Sequence, residues 1–193
     1  MNTSCPLTVG EWHDFLRGFS SEFLNSKYLR LLEADPNIDV SLFLSEAGRE
    51  ARWLGYEPAS EQTVLAVEER LGVRLPPMYR NFLLTSNGWN CIGELDLLKA
   101  EEIGWFAERE AWLLDSWSGP GLEFFTEDLK MLKRCLLISS GQDGSGGYLL
   151  LHAENGNENG EWNAYEWWPG HGAHPEPHDS FAALLTSVRE YLF

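Results

Sequence analysis

Positive charge is scarce in this chain. Among 193 residues, 14 Lys and Arg stand against 30 Asp and Glu, a formal net charge of −16, and the sequence pI is near 4.6. A nucleic-acid binder draws most of its affinity from neutralising phosphates with Lys and Arg, so DNA, RNA and anionic membranes are poor partners for it. Long apolar runs are missing as well. No stretch approaches the ~18 residues that a membrane span needs, and the segment from Met1 to Cys5 has no basic region followed by an apolar one. The expected compartment is the cytoplasm, and Cys5 lies too far from any apolar region to suggest a lipid-attachment signal. The cysteines number three, Cys5, Cys91 and Cys135, an odd count without CxxC spacing, which argues against a disulfide framework and a structural zinc site.

Catalytic signatures are equally thin. There is no GxSxG elbow, and no cysteine has a histidine near it in sequence. The pairs Glu68-Glu69 and Glu101-Glu102 are expected by chance in so acidic a chain, so no glycosidase dyad follows from them. The expectation is a protein that is not an enzyme and carries no cofactor or metal.

What is present is the composition of a folded protein. Hydrophobic residues make up 44% and charged residues 23%, well inside the globular range, and the length suits one domain with an extension. The acidity either maintains solubility or steers encounter with a basic protein, since summed surface charge does both.

Periodicity divides the chain. From Thr8 to Glu33, Trp12, Phe15, Leu16, Phe19, Phe23, Leu24, Tyr28 and Leu31 recur at helical steps, with Gly18 and Asn25-Ser26 as points of division. A second helical segment starts at Asp39 and carries Leu42, Phe43, Ala47, Ala51 and Leu54 inward. Residues 1–57 thus form a helical N-terminal extension. Ser60 caps a helix with Val64, Val67 and Leu71 on one face up to Gly72, Leu75-Pro76-Pro77 starts another with Tyr79, Phe82 and Leu83, and Asn87-Gly88 closes it. Strands are expected at Ile92–Leu98, Cys135–Ser140, Gly147–His152 and Glu161–Trp167, a helix at Ala100–Phe106, and a hairpin loop at 155–160. A last helix, capped by Asp179 or Ser180, buries Phe181, Leu184, Leu185, Val188 and Leu192. Helices, then a mostly antiparallel sheet, then a closing helix read as an α+β domain.

Three local features invite a functional reading. His171, His174, Glu176 and His178 bring three imidazoles and a carboxylate into eight positions, but with neither helical spacing nor a preformed frame, so a solvated loop outweighs a metal site. The glycine-rich segment 141–147 lies between two strands and lacks the helix and Lys of a phosphate cradle. Nine tryptophans are present; most belong in the core, and of the Trp167-Trp168 pair one ring faces outward, since strand neighbours point to opposite sides.

Residues 58–104 carry a recognisable pattern. Pro58-Ala59-Ser60-Glu61, then Val67-Glu68-Glu69-Arg70-Leu71-Gly72-Val73-Arg74-Leu75-Pro76-Pro77-Met78-Tyr79-Arg80-Asn81-Phe82-Leu83, then Ser86-Asn87-Gly88-Trp89, resembles the N-terminal signature of the SUKH superfamily, which includes the Smi/Knr cell-wall regulators. The segment Ile138–Leu151, with Asp143 in its turn, and Asp179-Ser180-Phe181 to Leu185 resemble the family's later half, so the resemblance spans residues 58–193. It implies an α+β domain used for protein binding. Many bacterial members are immunity proteins that neutralise a toxin, and fungal relatives regulate cell-wall synthesis. The expectation is an immunity protein facing a basic toxin domain, the alternative a regulatory or scaffold protein with no toxin. Predicted loops and sheet edges put Glu101, Glu102, Trp105, Asp143, Glu154, Glu158 and Trp167 forward as contact residues.

Overall fold

A computed structural model describes residues 5–141 and 146–193. Helix α1 (Val9–Asn25) opens with a reciprocal capping box between Thr8 and Glu11 and buries Trp12, Phe15, Leu16, Phe19 and Phe23. Ser26, in extended conformation, ends it and caps α2 (Lys27–Ala34) by accepting from the Leu29 amide at 3.0 Å. The segment expected to run as one helix from Asp39 is instead a 3₁₀ turn (Val40–Leu42) followed by α3 (Glu46–Ala51). Ser45 supplies a fresh cap through the Gly48 amide, and Leu42, placed inward by the longer helix, is 81% exposed.

Helix α4 (Glu61–Leu71) starts at the Ser60 cap and ends at Gly72, whose φ of 71° is costly for any residue with a Cβ. Helix α5 (Pro77–Leu83) has Pro at its first position and no side-chain cap of its own. Gly88, at φ 95°, follows; a Cβ there would lie 2.8 Å from the Leu97 carbonyl oxygen, so the Asn-Gly turn also permits a close approach to the next strands.

Those strands form a hairpin, β1 (Trp89–Ile92) and β2 (Leu95–Leu97), where the sequence suggested one strand. The expected helix at Ala100–Phe106 is a 3₁₀ turn at Ala100–Glu102 and then β3 (Gly104–Trp105). The Arg70 guanidinium accounts for this: it donates to the Ala100 and Ile103 carbonyls at 3.4 and 2.8 Å, acceptors that a continuing helix would need. Three short helices follow, α6 (Phe106–Arg109), α7 (Ala111–Ser116) and α8 (Thr126–Leu132).

The run expected as one strand after Cys135 serves two sheets, as β4 (Cys135–Leu137) and β5 (Ser139–Gly141). Ile138 is the crossing point: its amide donates to Leu149 and its carbonyl accepts from Leu98. Strands β6 (Tyr148–Gly156), β7 (Trp162–Trp167) and β8 (Glu176–His178) complete the sheets before α9 (Phe181–Leu192), which Ser180 caps. All pairs are antiparallel, in the orders β1-β2-β5 and β3-β4-β6-β7-β8.

Alternation along the larger sheet sends side chains into two cores. Leu136, Leu149, Leu151, Ala153, Trp162 and Ala164 face the first, with α1, α4, α5 and α9. Cys135, Leu137, Leu150 and Trp167 face the second, which α6, α7 and α8 cover with Phe106, Leu113, Leu114, Leu129 and Leu132. The first core is continuous with the N-terminal helices, because the Trp12 ring lies 5.5 Å from both Phe82 and Phe181.

Candidate binding cleft

The residues put forward from sequence fall in separate places. Glu101 and Glu102 are exposed on the 3₁₀ turn before β3. Glu101 accepts from the Asn87 amide group at 3.1 Å, and Glu102 caps its own turn through the Lys99 amide. Trp105 is half-buried against the first core, beside Lys133 and Arg134. Glu154 lies in β6, and Glu158 is exposed in the β6–β7 turn. That hairpin meets the start of α5 through Glu161, whereas Glu101 meets Asn87 just past its end. Asp143 lies outside the described residues.

Trp167 requires a correction. It is 1% exposed, and its indole donates to the Ala173 carbonyl at 3.0 Å. The face of β7 that looked free is roofed by α6–α8, so Trp167 is a core residue. Its neighbour Trp168 is half-buried and donates to Glu166 at 2.7 Å.

The histidines of the 171–178 loop diverge. His171 stacks on Trp168, His174 bonds to Asp128 and lies 4.9 Å from the Phe125 ring, and His178 belongs to β8. Among the described residues no group of three His, Cys, Asp or Glu is placed to hold a metal ion.

Where the two sheets meet, a cleft of about 750 Å³ opens between α7 and the strands beside the crossing. Leu98, Leu137 and Ser139 come from the sheet side, and Trp112, Trp117 and Tyr148 supply aromatic walls. The phase of α7 explains the outermost ring. Leu113 and Leu114 turn into the second core and Trp117 packs edge-on against Trp167 at 5.4 Å, which leaves Trp112 off the buried stripe and 64% exposed.

That exposed indole has a hydrogen-bond partner: Trp112 Nε1 donates to Glu110 Oε2 at 3.0 Å. Glu110 stands at the break between α6 and α7 and lines the cleft with Tyr148. Burial first, and the Glu110 carboxylate second, push the Tyr148 hydroxyl up to about 12. The surrounding chain is strongly acidic, since residues 94–128 hold ten Asp and Glu against two cations, Lys99 and Arg109. The cleft lining itself carries one carboxylate, Glu110, and one cation, Arg109.

Sequence reading missed Trp112 as a contact residue, although a signal existed: Leu113, Leu114 and Trp117 set a helical stripe from which Trp112 is excluded.

The model of the SMI1 / KNR4 family (SUKH-1) matches residues 58–187, about two thirds of the chain, from just before the Ser60 cap into α9. No curated protein matches the chain.

Proposed function

The chain belongs to the SMI1 / KNR4 family (SUKH-1), and from that membership we propose that it works by binding another protein, as an immunity protein that occludes a cognate toxin. It acts in the cytoplasm without turnover, and its partner presents a basic surface. The single observation that carries this reading is Trp112, a large aromatic ring exposed to solvent whose indole N–H is bonded to Glu110. An anchor with a bonding partner before association loses less rotamer freedom on binding, and tryptophan is enriched among residues that dominate interface energy.

The charge distribution supports the same reading. An acidic segment accelerates encounter with a basic protein and does so less at high salt. The turn at Ala100–Glu102 is tied to the cleft through Arg109, a lining residue that donates to the Glu102 carbonyl. Among the described residues no helix is long and apolar enough to cross a membrane.

Affinity capture from the native cell with the full chain as bait, at low and at high salt, tests the proposal. A basic partner whose recovery falls with salt and whose toxicity the chain suppresses on co-expression is the expected result. A neutral partner retained equally at both salts refutes it, and a non-toxic one moves the assignment to a regulatory protein.

A further inference from the structure

The cleft combines features that together select one kind of guest. Trp112, Trp117 and Tyr148 line it together with Leu98, Leu113 and Leu137, and the Glu110 carboxylate accepts from the Trp112 indole and from the Tyr148 hydroxyl. Aromatic faces attract cations, most strongly where a carboxylate is also at hand and water is partly displaced. An apolar stem ending in a cationic head, the form of a lysine or arginine side chain, satisfies both surfaces at once. A guest with a carboxylate would meet Glu110 at close range, within a segment of net charge −8 from residues 94–128.

Arg109, the cation among the lining residues, does not cancel this preference. Its guanidinium is engaged by the Glu102 carbonyl oxygen, to which it donates, and no ion pair joins it to Glu110 among the described residues. The Glu110 carboxylate accepts from the Trp112 indole, which orients it without neutralising its charge.

We propose that this cleft seats a lysine or arginine side chain of the protein partner, its head group against Glu110 and flanked by Trp112 and Tyr148. The inference rests on the protein-binding reading above and adds to it the chemistry of the residue that is recognised.

Titration of the full chain with the blocked amides of arginine, lysine and norleucine, followed through its indole N–H resonances, tests it without any partner. The Trp112 signal is identified by its loss in Trp112→Phe. The cationic amides shift that signal saturably and more weakly at high salt, while the neutral norleucine amide leaves it in place. Glu110→Gln lowers the affinity for the arginine amide about tenfold, the loss of one charge-assisted contact. An equal response to norleucine, or unchanged arginine affinity in Glu110→Gln, overturns the proposal. If that variant does not fold, the salt series and the norleucine comparison on the unaltered chain decide it. Recovery of a salt-sensitive basic partner alongside a silent Trp112 removes the cleft and leaves protein binding intact; a saturable arginine response with no basic partner in the cell does the reverse.

Discussion

The Glu161 carboxylate accepts a hydrogen bond from the Met78 amide at 2.8 Å, so the first turn of α5 is capped by a hairpin 83 residues further along the chain. Helix α5 has no side-chain cap of its own, and Glu161 supplies an acceptor for one of its unpaired donors. The cap carries an electrostatic cost, because the second carboxylate oxygen is buried without a partner among the described residues.

Burial raises the Glu161 pKa above its ordinary value of 4.5, against the smaller lowering effect of the Met78 amide. Between the ordinary and the raised value the native state binds more protons than the unfolded one, so this group's contribution to stability falls as pH rises through that window. Glu161→Gln keeps an acceptor and removes the charge. Subtracting its urea-unfolding free energies from those of the wild type, at a series of pH values from 4 to about 7, should isolate that falling contribution. A difference that stays flat contradicts the assignment. Glu161→Ala loses the cap and should cost about 1 kcal/mol.

Trp12→Ala should destabilise the whole protein by about 3–5 kcal/mol, the usual cost of deleting a buried aromatic ring. Trp12 touches Phe82 and Phe181 across the first core, so the N-terminal helix and the family domain should unfold in one transition. Two separate denaturant transitions, by tryptophan fluorescence and by circular dichroism, would show that α1 is only an attachment.

Tyr79 is fully buried between Phe82 and Phe181, and among the described residues its hydroxyl has no hydrogen-bond partner. Removing a buried, unpaired hydroxyl relieves a desolvation penalty of order 1 kcal/mol. Tyr79→Phe is therefore expected to raise the urea midpoint with an unchanged slope, and a lowered midpoint would reveal a partner for that oxygen.

Trp112 and Trp167 should separate binding from folding. Trp112→Ala is expected to change stability by no more than about 0.5 kcal/mol and to weaken partner binding by about 2 kcal/mol, near 30-fold. Trp167→Ala should instead cost about 3–5 kcal/mol of stability. Calorimetry of binding and unfolding on both variants reads the two effects, and equal loss of stability would place Trp112 in the core.

The parts of this fold that were legible from residues are those fixed locally. Ser60 and Gly72 bracket α4, Pro77 starts α5, and the spacing of Phe181, Leu184, Leu185 and Val188 marks α9. The layer α6–α8 was not legible, because its helices are four to seven residues long and none has a side-chain cap bond; packing of Phe106, Leu113 and Leu129 against the sheet holds them. That omission explains both errors at the site. With no second layer in view, Trp167 appeared to face solvent, and the stripe of Leu113, Leu114 and Trp117 that sets Trp112 apart had no surface to pack on. The change of sheet at Ile138 was hidden for another reason: residues 135–139 are buried throughout, and a continuous apolar run does not say which sheet each residue joins.

The single strand path from Leu136 to Ser140 is shared between both sheets, and it forms the hinge-less corner beside which the cleft opens. Prising the two sheets apart would tear backbone pairing on either side of Ile138, so the sheet side of the opening is an unyielding wall. Any accommodation to the girth of a visiting side chain should therefore fall to α7, a six-residue helix with no side-chain cap.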